Sequence, residues 1–339
     1  MHRQRALHQV PVQSAEQTGA AVIKVLSIDG GGIRGILPAT WLMKLEELTG
    51  RPAAELFDVV VGTSTGGILA LGLTCPAAGG KGYSAEELRN LYVDHGAEIF
   101  SGSPSADAGS RARYSSEPLR GYLQQYFGER ALSAALKPVA VVTVDLAHFT
   151  GLLFSGGGLD QDPLGDAPMA LAALATSSAP TYFEPVPYTE PDGTRRTLVD
   201  GGLAANDPAF VGLTIALVQQ RTVRPGEEIL LVSLGTGEQS GGGSLEPSAV
   251  SQLAHPDQLA ILEPVIESLY GAPGRLARRL LSLSLGERYQ RLQTELLPGV
   301  DHALDNATPA NIAGLLRTAE AFLAAESGRL EDLAAKLTS

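Results

Sequence analysis

Two apolar runs of strand length, each breaking at once into glycine and then into a helical pattern, do most to limit what this chain can fold into. Val22–Ile28 is continuous and rich in β-branched residues, the pattern of a strand buried on both faces. Gly30, Gly31, Gly32 and Gly35 follow it, then a predicted helix from about Arg34 to Leu48, closed by Thr49-Gly50. Phe57–Val61 repeats the strand pattern, and Gly66–Leu73 begins a second helix. Strand, helix, strand, helix predicts an α/β fold on a mainly parallel sheet with right-handed crossovers.

Later strands are predicted at Val139–Asp145, Leu152–Ser155, Thr197–Asp200 and Ile229–Leu234. Helices are predicted at Ala85–Ile99, Glu117–Phe127, Ala167–Thr176 and Pro208–Gln219. From Pro247 onward only amphipathic helical segments are legible, so 249–339 reads as a helical C-terminal part, set off by a flexible loop at 238–248. A second mobile loop is expected at 101–113, and residues 1–20 read as a disordered arm. The main domain is expected to cover 21–325.

With 339 residues the chain can bury a large core. A net charge of −12 argues against broad nucleic-acid binding, which needs a basic footprint. The single cysteine, Cys75, excludes an intramolecular disulfide and a cysteine-rich metal site, and its apolar setting reads as core. No secretory h-region and no run of membrane-spanning length is present, so a cytoplasmic protein is expected.

Three motifs bear on chemistry. Gly30-x-Gly32-x-x-Gly35 between strand and helix formally matches the dinucleotide fingerprint, but the second strand ends Val60-Val61-Gly62 with no acid to hold a ribose. No Gly-Lys-Ser/Thr follows, which excludes a phosphate-binding P-loop. Gly62-Thr63-Ser64-Thr65-Gly66 is a Gly-x-Ser-x-Gly corner between strand and helix, the context of a nucleophile elbow. Acyl transfer at Ser64 creates an oxyanion, and free backbone N–H groups of the glycine loop are suited to bind it. Arg34, one turn into the helix, would brace that loop or meet an anionic headgroup, the plainer reading being a surface arginine.

The third motif, Asp200-Gly201-Gly202, closes a predicted strand, and its aspartate supplies a base for Ser64. A histidine base is the competing arrangement. Of His2, His8, His95, His148, His255 and His302, none is flanked by active-site loop signals, while chain order would admit His255 or His302 in a triad. A Ser64–Asp200 dyad is favoured over that triad, and an idle binding protein on the same fold is the further alternative.

Asp29-Gly-Gly-Gly-Ile-Arg34-Gly, Gly62-Thr-Ser64-Thr-Gly66 and Asp200-Gly-Gly202, in this order, resemble the patatin-like phospholipase family. So do "YSSEPL", "ATSSAPTYFEPV", "LLVSLGTG", "YQRLQ" and "LDNATPANIAGLL". The resemblance covers residues 22–320. It implies a three-layer α/β/α fold and a lipid acyl hydrolase with neither cofactor nor metal. By motif, Ser64 would be the nucleophile and Asp200 the base, with Gly31 and Gly32 in the oxyanion hole and Arg34 supporting it. Membrane phospholipid is the implied substrate, met at the inner face of the membrane.

The short chain also resembles bacterial patatins that act as antiviral effectors switched on by cyclic dinucleotides, which implies such an activator. Arg275, Arg278 and Arg279 lie at helical spacing, with Arg288 and Arg291 beyond them, and would suit phosphodiester oxygens. The competing reading is a solvated basic face paired with acids such as Glu287 and Glu295. A homo-oligomer is compatible with the sequence, and nothing in it selects a headgroup.

Overall fold

The computed structural model describes residues 21–102, 112–159, 164–239 and 262–339. The expectations for 1–20, for 240–248 and for most of the 101–113 loop lie outside the described residues, as do His2, His8 and His255.

The first half runs β1 (Val22–Ile28), a 3-10 turn (Gly32–Gly35), α1 (Ile36–Thr49), α2 (Ala53–Leu56), β2 (Val59–Thr63), α3 (Thr65–Thr74), α4 (Ala85–Ile99) and α5 (Glu117–Phe127). Next come β3 (Val139–Asp145), β4 (Thr150–Gly156), α6 (Met169–Ser177), β5 (Val186–Thr189), β6 (Arg195–Asp200), α7 (Gly202–Ala205), α8 (Ala209–Thr222) and β7 (Glu228–Leu234). The described chain closes with α9 (Leu262–Leu285), β8 (Tyr289–Leu292), α10 (Pro309–Ala325) and α11 (Ser327–Thr338).

The eight strands of the described residues form one sheet, in the order β5-β6-β3-β2-β1-β7-β8, with β4 paired to β3. The β3-β2-β1-β7-β8 stretch is parallel, while β4 and β6 run antiparallel to β3 and β5 antiparallel to β6. Successive residues of the central strands point into two different cores. Val25, Val59, Val61 and Leu231 enter one with α8, whereas Leu26, Val60 and Val232 enter the larger one with α1, α3 and α4. This explains why β1 and β2 read as unbroken apolar runs: both faces are covered.

The expectation of a purely helical part from 249 onward is overturned by β8, which pairs parallel with β7 over Leu231–Leu234. Its four residues, two of them polar, carry too short a pattern to be legible as a strand. α10 and α11 join the main core, and Trp41 of α1 meets Phe322 of α10 with ring centroids 4.6 Å apart. Cys75 is buried in the larger core. No helix among the described residues is long and apolar enough to cross a membrane.

The sheet register brings two strand ends together. β3 pairs with β4 along its whole length on one side. On the other side β2 reaches only to Thr63 opposite Val142, and the remaining Thr143–Asp145 are taken by β6 arriving from the opposite direction. Thr63 and Asp200 therefore face consecutive residues of β3, Val142 and Thr143. Asp200 is the last residue of β6, an antiparallel strand that meets β2 head-on.

Candidate active site

Ser64 stands between β2 and α3 with φ 55° and ψ −126°, a conformation that costs a non-glycine residue of order 1–3 kcal/mol and persists only where the surroundings enforce it. Three features enforce it. Cβ atoms on Gly62 and Gly66 would lie 2.1 Å from Gly66 O and 2.1 Å from Ile28 O, so only glycine lets the strand and helix close this tightly. A Cβ on Gly35 would lie 2.2 Å from Thr65 Oγ1. Thr176 at the end of α6 then clamps the corner: its hydroxyl accepts from Ser64 N–H at 2.9 Å and donates to Val142 O at 2.5 Å.

The end of α6 holds the other partner too. Thr176 O accepts from Gly201 N–H at 3.3 Å, and Ser178 O accepts from Asp200 N–H at 3.0 Å. Asp200, 1% exposed, takes hydrogen bonds from the Ser64 hydroxyl and from Gly202 N–H, the latter at 2.7 Å. Burial pushes its carboxyl up to about 7, against the smaller lowering effect of those two donors. A carboxylate with that affinity for protons is matched to proton transfer at neutral pH, which an exposed aspartate is not.

His95 stacks on Tyr122 at 4.1 Å, His148 is bound to Asp145 and Arg196, and His302 lies 3.7 Å from Asp301. None of the three takes part in the hydrogen bonds of Asp200.

The glycine loop approaches its own chain. A Cβ on Gly30 would lie 2.2 Å from Asn206 Oδ1, one on Gly31 2.4 Å from Thr236 Oγ1, and one on Gly32 2.1 Å from Leu304 O. Gly32 also has φ +57°, a left-handed conformation that favours glycine. Gly30 N–H donates to Asn206 O at 3.0 Å and Ile33 N–H to Leu304 O at 2.8 Å. Between them, the N–H groups of Gly31 and Gly32 donate to no group among the described residues. Arg34 grips the loop from outside, with Nε donating to Gly31 O at 3.3 Å and Nη1 to Gly237 O at 3.0 Å.

Beneath the loop lies a chain of charges that the sequence reading missed. Asp29 is clasped by Arg291 of β8, Arg291 also reaches Asp207 at 3.6 Å, and Asp207 pairs with Arg278 of α9 at 3.1 Å. Arg278 continues to Glu238 at 2.6 Å. Within the expected anion-binding stripe, Arg278 is engaged by Asp207 and Glu238. Arg291 belongs to a strand rather than to a helical row, and Arg288 pairs with Glu228 at 3.4 Å. Arg275 and Arg279 remain exposed on α9. Thr176, Thr236 and Arg291 lie in stretches that carry the family resemblance, but what each touches, like the contacts of Asn206, is distant in the chain and was not legible there.

Gly201 and Gly202 also permit close packing. A Cβ on Gly201 would lie 2.1 Å from Val142 O, and one on Gly202 would lie 1.8 Å from Tyr270 Cε1 and 3.0 Å from Asp200 Oδ1. Tyr270 of α9 thus lies over Gly202 beside Asp200, and its buried hydroxyl has no partner among the described residues. No group of three or more His, Cys, Asp or Glu that could hold a metal occurs among the described residues.

A family model described as patatin-like phospholipase matches residues 26–213. "Patatin-like protein 1" of Oryza sativa subsp. indica is 31% identical over 91% of this chain and 83% of its own length. "Patatin-like protein 2" of Arabidopsis thaliana is 30% identical over 89% and 83%. "Probable inactive patatin-3-Kuras 1" of Solanum tuberosum is 31% identical over 89% and 86%.

Proposed function

The chain belongs to the patatin-like phospholipase family, and we propose that it cleaves fatty-acyl esters of membrane phospholipids through Ser64 and Asp200. Lipid acyl hydrolysis follows from the family. The finer reading is carried by one observation: a serine on a strained elbow, hydrogen-bonded to a buried aspartate whose carboxyl is pushed up to about 7.

Ser64 Oγ attacks the acyl carbonyl carbon and passes its proton to the Asp200 carboxylate. The carbonyl oxygen becomes an oxyanion facing the N–H groups of Gly31 and Gly32, each such donor being worth roughly 3 kcal/mol in the transition state. Collapse breaks the ester bond, and the departing lysolipid alkoxide takes the proton from Asp200. Water then gives a proton to Asp200 as its oxygen attacks the acyl-serine. Ser64 leaves, recovering the proton, and the fatty acid is released. One carboxyl serves alternately as base and acid, so no histidine is required.

Activation by a cyclic dinucleotide gains no support from the arginine stripe, because Arg278 is committed to Asp207 and Glu238. The idle-scaffold alternative is opposed by the retention of both Ser64 and Asp200. A fluorophosphonate probe separates the readings: wild type should label at Ser64, and Ser64→Ala should neither label nor release fatty acid from phosphatidylglycerol vesicles. A wild type that fails to label overturns the hydrolase reading.

A further inference from the structure

Among its described side chains, 270–271 and 274–285, α9 is apolar on two faces, and only one of them is packed. Gly274 and Leu281 face inward with Tyr270. Leu276, Leu280 and Leu283, spaced i, i+4 and i+7, point the other way and are 63%, 46% and 77% exposed. Arg275 and Arg279 form an exposed row immediately beside these leucines and make no ion pair among the described residues. α8, which packs beside α9, carries exposed apolar side chains of its own at Phe210, Leu217 and Val218. Single exposed leucines are ordinary, but a row of them on a helix, flanked by arginines in a chain of net charge −12, is not.

We propose that this outer face of α9 docks on an anionic lipid surface. The inference rests on the lipid hydrolase reading, because a lipid surface is where that substrate is found. A helix with leucines on one side and arginines along their border lies in the plane of an interface, the leucines entering the acyl boundary and the arginines meeting anionic headgroups. The same helix carries Tyr270 over Gly202 beside Asp200, ten residues or about 15 Å along the axis from Leu280. Docking therefore sets the dyad within a few helical turns of the lipid. A second copy of this chain is the less favoured occupant, since it would bring like arginine rows together, whereas anionic headgroups complement them.

The test uses the full chain carrying Ser64→Ala, so that binding is read without hydrolysis. Flotation with vesicles of phosphatidylglycerol and phosphatidylcholine should recover the parent. Leu276→Gln/Leu280→Gln/Leu283→Gln should bind about tenfold or more weakly, with an unchanged melting temperature as its folding control. Arg275→Gln/Arg279→Gln should lose binding to the anionic vesicles. Independently, an environment-sensitive dye on Leu283→Cys should brighten and shift to the blue on adding vesicles, Cys75 being buried. Unchanged binding by either multiple variant, or a dye that stays in water on bound protein, overturns the proposal. So does a dimer that the triple variant dissolves while vesicle binding is absent. Fluorophosphonate labelling of otherwise wild-type protein keeps the two readings apart. Labelling without docking removes only the docking face, and docking without labelling removes only the hydrolase.

Discussion

Arg291 and Asp29, 262 residues apart, meet in a two-pronged ion pair, Nη1 lying 2.9 Å from Oδ1 and Nη2 2.5 Å from Oδ2. Asp29 is the residue from which the glycine loop departs, and Arg291 is anchored in the sheet by β8. The pair therefore ties the loop presenting Gly31 and Gly32 to the far end of the chain. Burial pushes Asp29 up to about 6 even with Arg291 beside it, so the pair spends much of its attraction on desolvation.

Removing one partner should be costly. Arg291→Leu leaves a buried carboxylate uncompensated, a loss of about 3–5 kcal/mol in stability. Without the guanidinium Asp29 holds its proton more tightly still, so the loss should shrink as pH falls and Asp29 becomes neutral. Urea denaturation between pH 5 and 8 measures this, and Asp29→Asn added to Arg291→Leu should recover part of the loss. An equal deficit at every pH would refute the account.

Asp200→Asn should abolish hydrolysis and raise stability together. The folded carboxyl titrates at about 7 against an ordinary 3.8, so the unfolded chain loses this proton first as pH rises. Ionisation then opposes folding: the penalty is absent below pH 4, grows between 4 and 7, and is full above 7, with an upper size of about 4 kcal/mol. The variant's advantage in thermal unfolding should follow that profile. A destabilised variant at pH 8 would show that the charge is not a burden.

The rate should report the same group from the other side. With Asp200 as base, kcat/KM should climb about tenfold per pH unit well below 7 and flatten above it, as the carboxylate fraction saturates. A soluble short-chain ester keeps lipid-surface effects out of the measurement. A profile already flat from pH 5 upward would assign the proton to another acceptor.

Thr176→Val removes the acceptor of Ser64 N–H and the donor to Val142 O without much change of volume. The elbow is then free to relax from its strained geometry. We expect kcat to fall by about 10–100-fold with KM less affected, for a loss of about 1.4–2.7 kcal/mol in transition-state positioning. Thr176→Ser keeps the hydroxyl and should restore most of the rate. Equal losses in both variants would point to packing rather than to the hydrogen bonds.

Local pattern determined much of this protein. The apolar runs at Val22–Ile28 and Val139–Asp145, the capping box that starts α4 at Ser84, and the glycine corner around Ser64 all act within a few residues, so the chain states them directly. The alternation of strands and helices likewise dictated a mainly parallel sheet. Three things were decided only in the tertiary structure. β6 runs antiparallel and reaches Ser64 head-on, because β2 ends at Thr63 and leaves the last three residues of β3 to pair. β8 exists because β7 offers it an edge, since four residues with two polar side chains have no strand pattern of their own. Arg278 and Arg291 left the arginine row for buried acids, because an ion pair is chosen by distance in space. Periodicity and turn chemistry are properties of neighbours along the chain. Strand direction, edge pairing and charge partnership depend on which distant segments the packed core brings together.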